Sequence, residues 1–234
     1  MRKIENIVIL TGAGISAESG LNTFRASDGL WENHRVEDIC TPEALAANRE
    51  LVLDFYDQRR AALRKVEPNA AHLALARLDR EWRGELLIVT QNVDDLHERA
   101  GAARVLHMHG ELISALCEDC GGRAPYGGAM LDGTVCGQCG AEDRLRPDIV
   151  FFGEMPYGME RIEAALAEAD LFVSIGTSGA VYPAAGFVQM ARHAGIETLE
   201  LNLERSAGSG WFDETRLGKA SQLVPEWVEQ MLDL

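Results

Sequence analysis

Two Cys-x-x-Cys pairs, Cys117 with Cys120 and Cys136 with Cys139, stand fifteen residues apart, with glycines at 121, 122, 137 and 140 beside them. That spacing suits a tetrahedral zinc site. Four thiolates close the coordination shell and leave no place for water, so the metal is expected to fasten structure rather than to react. A second signature is "TGAGISAESG", residues 11–20, directly after the apolar run Ile7 to Leu10. Glycines at 12 and 14 permit a tight turn and close backbone approach, and a helix after them would offer free N–H groups to a phosphate. A third, "IVTQNVDDLHERAG" at 88–101, sets Gln91, Asn92, Asp94 and Asp95 just beyond an apolar strand, and "VLHMHGEL" at 105–112 adds His107 and His109. Histidine is the natural candidate for a base at neutral pH. By position alone His72, His97 and His107 rival His109, and Asp94 could equally cap the following helix. Two further polar turns, Gly176-Thr177-Ser178 and Asn202 with Glu204, could hold ribose hydroxyls or phosphates, or be ordinary loops.

The elements that must position these groups read as a parallel sheet. Short apolar runs at Asn6 to Leu10, Leu86 to Thr90, Leu171 to Ile175 and Thr198 to Asn202 are separated by helical-length stretches. That alternation predicts an α/β, Rossmann-like, doubly wound sheet. Helical patterns fit Ser16 to Gly20, Pro42 to Lys65, Ala70 to Glu81 with Asn69 as its cap, Asp94 to Ala100, Gly158 to Ala169, Pro183 to His193 stopped by Gly195, and Pro225 to Leu234. The main domain is expected to comprise residues 1–30, 68–112 and 147–234. Residues 31–67 and 113–146 then form a smaller helical and zinc-ribbon lobe over the sheet's carboxyl edge, where such folds bind ligands. A dehydrogenase would carry an acidic residue about 20 positions after the glycines, at the end of a second strand. Here the chain runs instead into Phe24-Arg25.

Composition narrows the partners. Against 22 Lys and Arg stand 37 Asp and Glu, a formal charge of -15, which disfavours nucleic acid and anionic lipid and is compatible with basic protein substrates. No window approaches the roughly 20 apolar residues of a membrane span, and Ile7 to Leu10 is too short for a signal-peptide core. A cytosolic protein is expected. There the cysteines point to metal or catalysis rather than disulfides, with Cys40 left over as a packed or surface thiol of no assigned role.

Taken in order, Gly12-Ala13-Gly14-Ile15-Ser16 through Ser19-Gly20 and Phe24-Arg25, Thr90-Gln91-Asn92-Val93-Asp94, His109-Gly110-Glu111, the four cysteines, Phe152-Gly153-Glu154, Gly176-Thr177-Ser178 and Asn202-Leu203-Glu204 resemble the sirtuins. These are NAD-dependent protein lysine deacylases, and the resemblance covers nearly the whole chain. Leu21-Asn22-Thr23 departs from it, where many members carry a proline. The absence of long terminal extensions is similar to the compact bacterial enzymes, and by that analogy a monomer is expected. The resemblance implies glycosyl chemistry: the acyl-lysine carbonyl oxygen attacks C1′ of the nicotinamide ribose, nicotinamide leaves, an alkylimidate forms, and water completes deacylation to 2′-O-acyl-ADP-ribose. His109 would be the general base on a ribose hydroxyl. Asn92 and Asp94 would hold the nicotinamide end, Gln91 the ribose, and Ala13, Arg25 and Ser178 the rest of NAD. Phe24 would close over the reacting ribose and exclude water. Gly12, Gly14, Glu18, Trp31, Gly176, Thr177, Asn202, Leu203, Glu204 and Ala220 complete the implied cofactor contacts.

Tyr56 and Arg59 lie at i and i+3, hence on one helix face. The desuccinylase and demalonylase branch of the sirtuins carries such a Tyr-x-x-Arg pair to read the distal carboxylate of the acyl group. A guanidinium pairs bidentately with a carboxylate, and a phenol adds a directed donor. Arg60, about 100° around the helix, is taken to point away from the pocket. Succinyl- or malonyl-lysine is the expected substrate class, with acetyl-lysine also accepted. Val150 and Phe151 are expected to line the acyl-lysine tunnel. Gly153-Glu154-Met155 and the Val181-Tyr182-Pro183 region would take the substrate main chain as an added strand. The rival readings are a mono-ADP-ribosyltransferase and a noncatalytic NAD-sensing or zinc-stabilised module, with a dehydrogenase ranked last.

Overall fold

The computed structural model describes residues 3–21, 30–31 and 34–233. Its first strand is β1 (Ile7–Thr11), followed by a short β-ribbon, β2 (Leu30–Trp31) and β3 (His34–Arg35). Helices α1 (Val36–Ile39), α2 (Pro42–Ala47), α3 (Arg49–Leu63) and α4 (Ala70–Glu81) lead to β4 (Leu86–Thr90). Then come α5 (Leu96–Arg99), β5 (Val105–His107), β6 (Gly110–Cys117), β7 (Arg123–Pro125) and β8 (Leu145–Ile149). The chain closes with α6 (Met159–Glu168), β9 (Leu171–Ile175), α7 (Phe187–His193), β10 (Glu197–Asn202), β11 (Glu214–Leu217) and α8 (Ala220–Leu232).

Six strands form one all-parallel sheet in the order β11-β10-β9-β1-β4-β5. Alternate residues of each strand face opposite ways, so one sequence pattern fills two cores. Ile7, Ile9, Ile88, Val173 and Leu201 pack with Leu75 and Leu78 of α4 and Trp227 and Val228 of α8. Val8, Leu10, Leu87, Val89 and Phe172 pack on the other side with Ile162 and Leu166 of α6 and Phe187 and Val188 of α7. A separate antiparallel sheet, β7-β6-β8, shares a third core with α3, in which Val52, Phe55, Tyr56, Leu112, Met130 and Phe151 meet.

Several expectations are corrected. The stretch Ser16 to Gly20 is not an α-helix but part of two 3-10 turns, Ala13–Ile15 and Ala17–Ser19, ended by Gly20 at φ +97°. Its bonds run from each N–H to the third carbonyl back, so no α-helical dipole points at a ligand there. The single helix expected over Pro42 to Lys65 is broken at Asn48, whose side chain accepts from Leu51 N and starts α3 afresh. The last helix begins five residues before Pro225, which sits inside it and forgoes one bond there. Strands β5, β6, β7, β8 and β11 escaped the periodicity reading. Strands β5, β7 and β11 are short, β6 alternates in burial beside the cysteine knuckles, and β8, though buried throughout, carries Arg146, Pro147 and Asp148 in place of an apolar run.

Candidate active site and metal centre

At the carboxyl edge of the sheet the strand ladder continues one residue into each loop. Gln91 N donates to Thr11 O at 2.9 Å, Gly12 N to Ile175 O at 3.0 Å, Gly176 N to Leu201 O at 3.0 Å and Gly218 N to Asn202 O at 2.9 Å. Gln91, Gly12, Gly176 and Asn202 therefore stand in a row across four adjacent strand ends. The glycines serve that row directly. A Cβ on Gly14 would lie 2.7 Å from the Cα of Gly176, and one on Gly176, at φ +62°, would lie 2.6 Å from Ile15 N. The two loops interlock backbone to backbone, which no side chain would allow. Asn202 Nδ2 donates to Thr177 O at 2.8 Å and Leu203 N to Asn202 Oδ1 at 3.0 Å, tying the last turn to the third. Ser178, Leu203 and Glu204 are exposed beyond these bonds, while Ala13 is half-buried. Glu18 turns to the start of α8, where its carboxylate accepts from Ser221 N at 3.1 Å and from Ser221 Oγ at 2.7 Å, next to Ala220. Phe24 and Arg25 lie outside the described residues, and of Trp31 only the backbone is described.

Asn92 and Asp94 are buried and converge on one hydroxyl that the sequence reading had not singled out for a site role. Ser16 Oγ donates to Asp94 Oδ2 at 3.0 Å and accepts from Asn92 Nδ2 at 3.1 Å. His72 Nε2 stands 3.4 Å from the same oxygen, and its Nδ1 accepts from Asn69 N at 3.3 Å, which assigns the ring proton to Nε2. Ser16 thus uses both lone pairs and its proton. Burial raises the Asp94 pKa from its ordinary value, against the lowering effect of its bonds from Leu96 N and Ser16.

The four rival histidines separate once their surroundings are known. His72 and His97 are fully buried, their rings 5.1 Å apart, and burial drives His72 down to about 4 and His97 well below its ordinary value. His97 Nε2 meets Thr11 Oγ1 at 3.0 Å. His107 Nε2 is paired with Glu98 at 2.9 Å; burial lowers its pKa but the Glu98 bond and charge outweigh this and raise it. His107 Nδ1 also meets a main-chain carbonyl, Asn92 O at 3.1 Å, but of these four only His109 pairs Nδ1 with a carbonyl, Gln91 O at 3.2 Å, and keeps Nε2 without a hydrogen bond among the described residues. A carbonyl only accepts, so Nδ1 carries the proton and Nε2 is the basic atom. Burial lowers the His109 pKa, and the Gln91 bond only partly offsets it.

Val150 N donates to His109 O at 2.9 Å, so the segment expected to line the acyl tunnel starts beside this base. Phe151 is buried and stacks on Tyr56, ring centroids 6.1 Å apart at 29°, while the Arg146 guanidinium lies 4.6 Å from its ring centroid. Tyr56 is fully buried, and its phenol faces the buried Cys40 thiol, which burial pushes up to about 11. Arg59 is half-buried, and its charge acts on the same phenol. Gly153 is exposed, but the Glu154 carboxylate is engaged inward, by Arg146 Nη2 at 2.7 Å and Phe151 N at 2.8 Å. Arg60 is not the idle neighbour expected: it is 2 % exposed and donates to Leu112 O at 2.7 Å and to Gly128 O at 3.2 Å. A concavity of about 440 Å³ lined by Ile4, Asp170, Arg192, Glu197 and Asp213 lies at the other edge of the sheet, far from these groups.

The cysteine sulfurs of residues 117, 120, 136 and 139 all lie within 4.8 Å of one another, with Cys117 to Cys139 and Cys120 to Cys136 each 3.8 Å apart. Zinc–sulfur bonds of about 2.3 Å in a tetrahedron require sulfurs about 3.8 Å apart, so the four fit a zinc ion.

Residues 12–183 match the Sir2 family. The chain belongs to the Sir2 family. Among relatives of this Sir2 protein, the NAD-dependent protein deacylase of Vibrio vulnificus is 56% identical over 229 residues, covering 97% of this chain and 94% of the relative. Two solved structures are also similar. A mutant Sir2 homologue in complex with ADP-ribose superimposes with a TM-score of 0.90 at 36% identity, covering 99% of this chain and 95% of the other. A Sir2 homologue in complex with NAD gives 0.89 at 36% identity, covering 98% and 91%. The Sir2 core carries the Rossmann-like parallel sheet anticipated from the alternating strands, together with a cysteine cluster suited to zinc.

Proposed function

We propose that this chain is an NAD-dependent protein lysine deacylase, with succinyl- and malonyl-lysine as preferred substrates and acetyl-lysine also accepted. The observation that carries the reading is His109, whose Nδ1 is held by Gln91 O, next in the chain to the buried Asn92, and whose carbonyl accepts from Val150 N. Membership of the Sir2 family and the Vibrio relative's activity support the same reaction. The residues present fit NAD: a long ligand with two riboses and a pyrophosphate needs a continuous row of loops, and four adjacent strand ends provide one.

When bound, NAD supplies an electrophilic ribose carbon, C1′, from which nicotinamide leaves as the acyl oxygen arrives. Ser16 holds Asn92 and Asp94 for the nicotinamide end. Gln91 aligns the ribose while its carbonyl fixes the His109 ring. His109 Nε2 takes the proton of a ribose hydroxyl, which lets that oxygen attack the acyl carbon. Ala13, Ser178, Asn202 and Leu203 hold the rest of the dinucleotide. Gly153 and Met155 offer main chain to an extended substrate, and the Tyr56 to Phe151 stack encloses the acyl chain with Arg59 at its far end. Zinc, held by the four cysteines, takes no part in the chemistry. The net charge of -15 suits basic, lysine-bearing proteins. Residues 1–30, 68–112 and 147–234 would then act as the NAD-binding body, and 31–67 with 113–146 as the lobe that shapes the acyl pocket.

The test is mass spectrometry of matched acetyl- and succinyl-lysine peptides, with and without NAD, comparing wild type with the Tyr56→Phe, Arg59→Met double variant. Succinyl removal is expected to require NAD and to fall at least 10-fold in the double variant, since a bidentate charged contact is lost, while acetyl removal survives. If instead the added mass is that of ADP-ribose on the peptide, the transferase reading replaces this one.

A further inference from the structure

Helix α3 carries two pairs of residues at the same i, i+3 spacing, one position out of step. Tyr56 and Arg59, assigned above to the acyl pocket, form one; Asp57 and Arg60 form the other, about 100° around the axis. The second pair is bonded to the main chain at Leu112 in β6 and in the zinc lobe. Arg60 Nε donates to Leu112 O in β6 at 2.7 Å, and Nη1 donates to Gly128 O at 3.2 Å and to Asp57 Oδ1 at 2.5 Å. Asp57 Oδ2 accepts from Met130 N at 2.7 Å and from Leu131 N at 3.3 Å. Two separate segments, Leu112 in β6 and residues 128–131 of the zinc lobe, are thereby gripped from one helical turn. A buried ion pair is a weak source of stability, because desolvation cancels much of its attraction and an apolar pair of equal volume holds as well. What bonds to fixed carbonyls and amides add is direction.

We propose that Asp57 and Arg60 are positioning residues for acyl selectivity: they lock the rotation of α3 and so keep Tyr56 and Arg59 in register with the distal carboxylate of the acyl group. This rests on the acyl-pocket reading above. Side-chain tips about 6 Å from a helix axis shift by about 1 Å for a rotation of about 10°. Reading a carboxylate demands placement to within about 0.5 Å. An acetyl group has no carboxylate to present, so its turnover is indifferent to the rotation. Selectivity therefore separates positioning from a general loosening of the fold.

Asp57→Asn and Arg60→Lys, in the full zinc-loaded chain, are measured for kcat and KM on matched succinyl- and acetyl-lysine peptides at saturating NAD, beside Arg59→Met. Each clamp variant is expected to raise the succinyl KM roughly 10-fold and leave the acetyl KM within about twofold. Equal loss on both peptides, or no change on either, overturns the proposal. Should Arg60→Lys fail to fold, Asp57→Asn decides, since it keeps the side-chain volume and one acceptor oxygen. If Arg59→Met leaves succinyl turnover intact, the acyl-pocket reading falls and the clamp with it. If Arg59→Met abolishes succinyl turnover while both clamp variants match wild type, the clamp alone falls.

Discussion

In the proposed reaction His109 serves as the base, and its surroundings suit that role. Burial disfavours the imidazolium, and the bond from Nδ1 to Gln91 O fixes the tautomer that leaves Nε2 basic. With the folded pKa below 6.5, the ring is neutral and competent at pH 7, and protonation removes the base as pH falls through the lowered value. The acid limb of kcat/KM is therefore expected below pH 6.5, which an initial-rate pH profile on an acetyl-lysine peptide reads directly; a limb centred above 6.5 would point to another group. His109→Asn should cut turnover by roughly 10²- to 10⁴-fold, as loss of a general base does. None of this was legible in residue types alone, because His72, His97, His107 and His109 are chemically identical until burial and partners differ. Ser16 was hidden for a related reason: a serine inside a glycine-rich turn reads as loop chemistry until Asn92 and Asp94 are folded against it. Cys40, without a role in the sequence, lies against the Tyr56 phenol only because the α1 to α3 insertion closes on itself.

At the scale of elements, the four central strands β1, β4, β9 and β10 and most of the long helices were read from periodicity, whereas the turns that carry the chemistry were not. Ala70–Glu81 with its Asn69 cap has the predicted bounds, because capping and spacing are local. The segment after Gly14 was misread as a helix because its 3-10 geometry is imposed by Gly176, more than 150 positions away in sequence. That interlock is testable. Gly14→Ala should destabilise the protein by about 1–3 kcal/mol, since its Cβ meets backbone that has nowhere to yield. Gly210→Ala, with open space at the added Cβ, should stay within about 0.5 kcal/mol. Denaturant unfolding of both measures the difference. Equal effects would mean that the loops part easily.

Across the whole molecule, Arg60 and Asp57 of α3 bond to Leu112 and to residues 128–131 of the cysteine-bearing segment, and Val150 N bonds to His109 O, so that in the proposed reading the zinc site braces the acyl pocket from a distance. Metal analysis is expected to find one zinc per chain, and its removal by chelation to abolish turnover and open residues 126–135 to limited proteolysis while the parallel-sheet core persists. A metal content well under one equivalent in a protease-resistant, active enzyme would contradict this. The sequence by itself determined the parallel sheet, the four metal-binding cysteines and the family, because each rests on local spacing: alternating apolar runs, Cys-x-x-Cys pairs, and motifs in a set order. Tertiary structure alone decided how each histidine is buried and partnered, that Ser16 joins Asn92 to Asp94, that Arg60 is a buried anchor, and that Glu154 turns inward to Arg146. Those outcomes depend on desolvation and on hydrogen bonds between residues distant in the chain, and no local pattern encodes either.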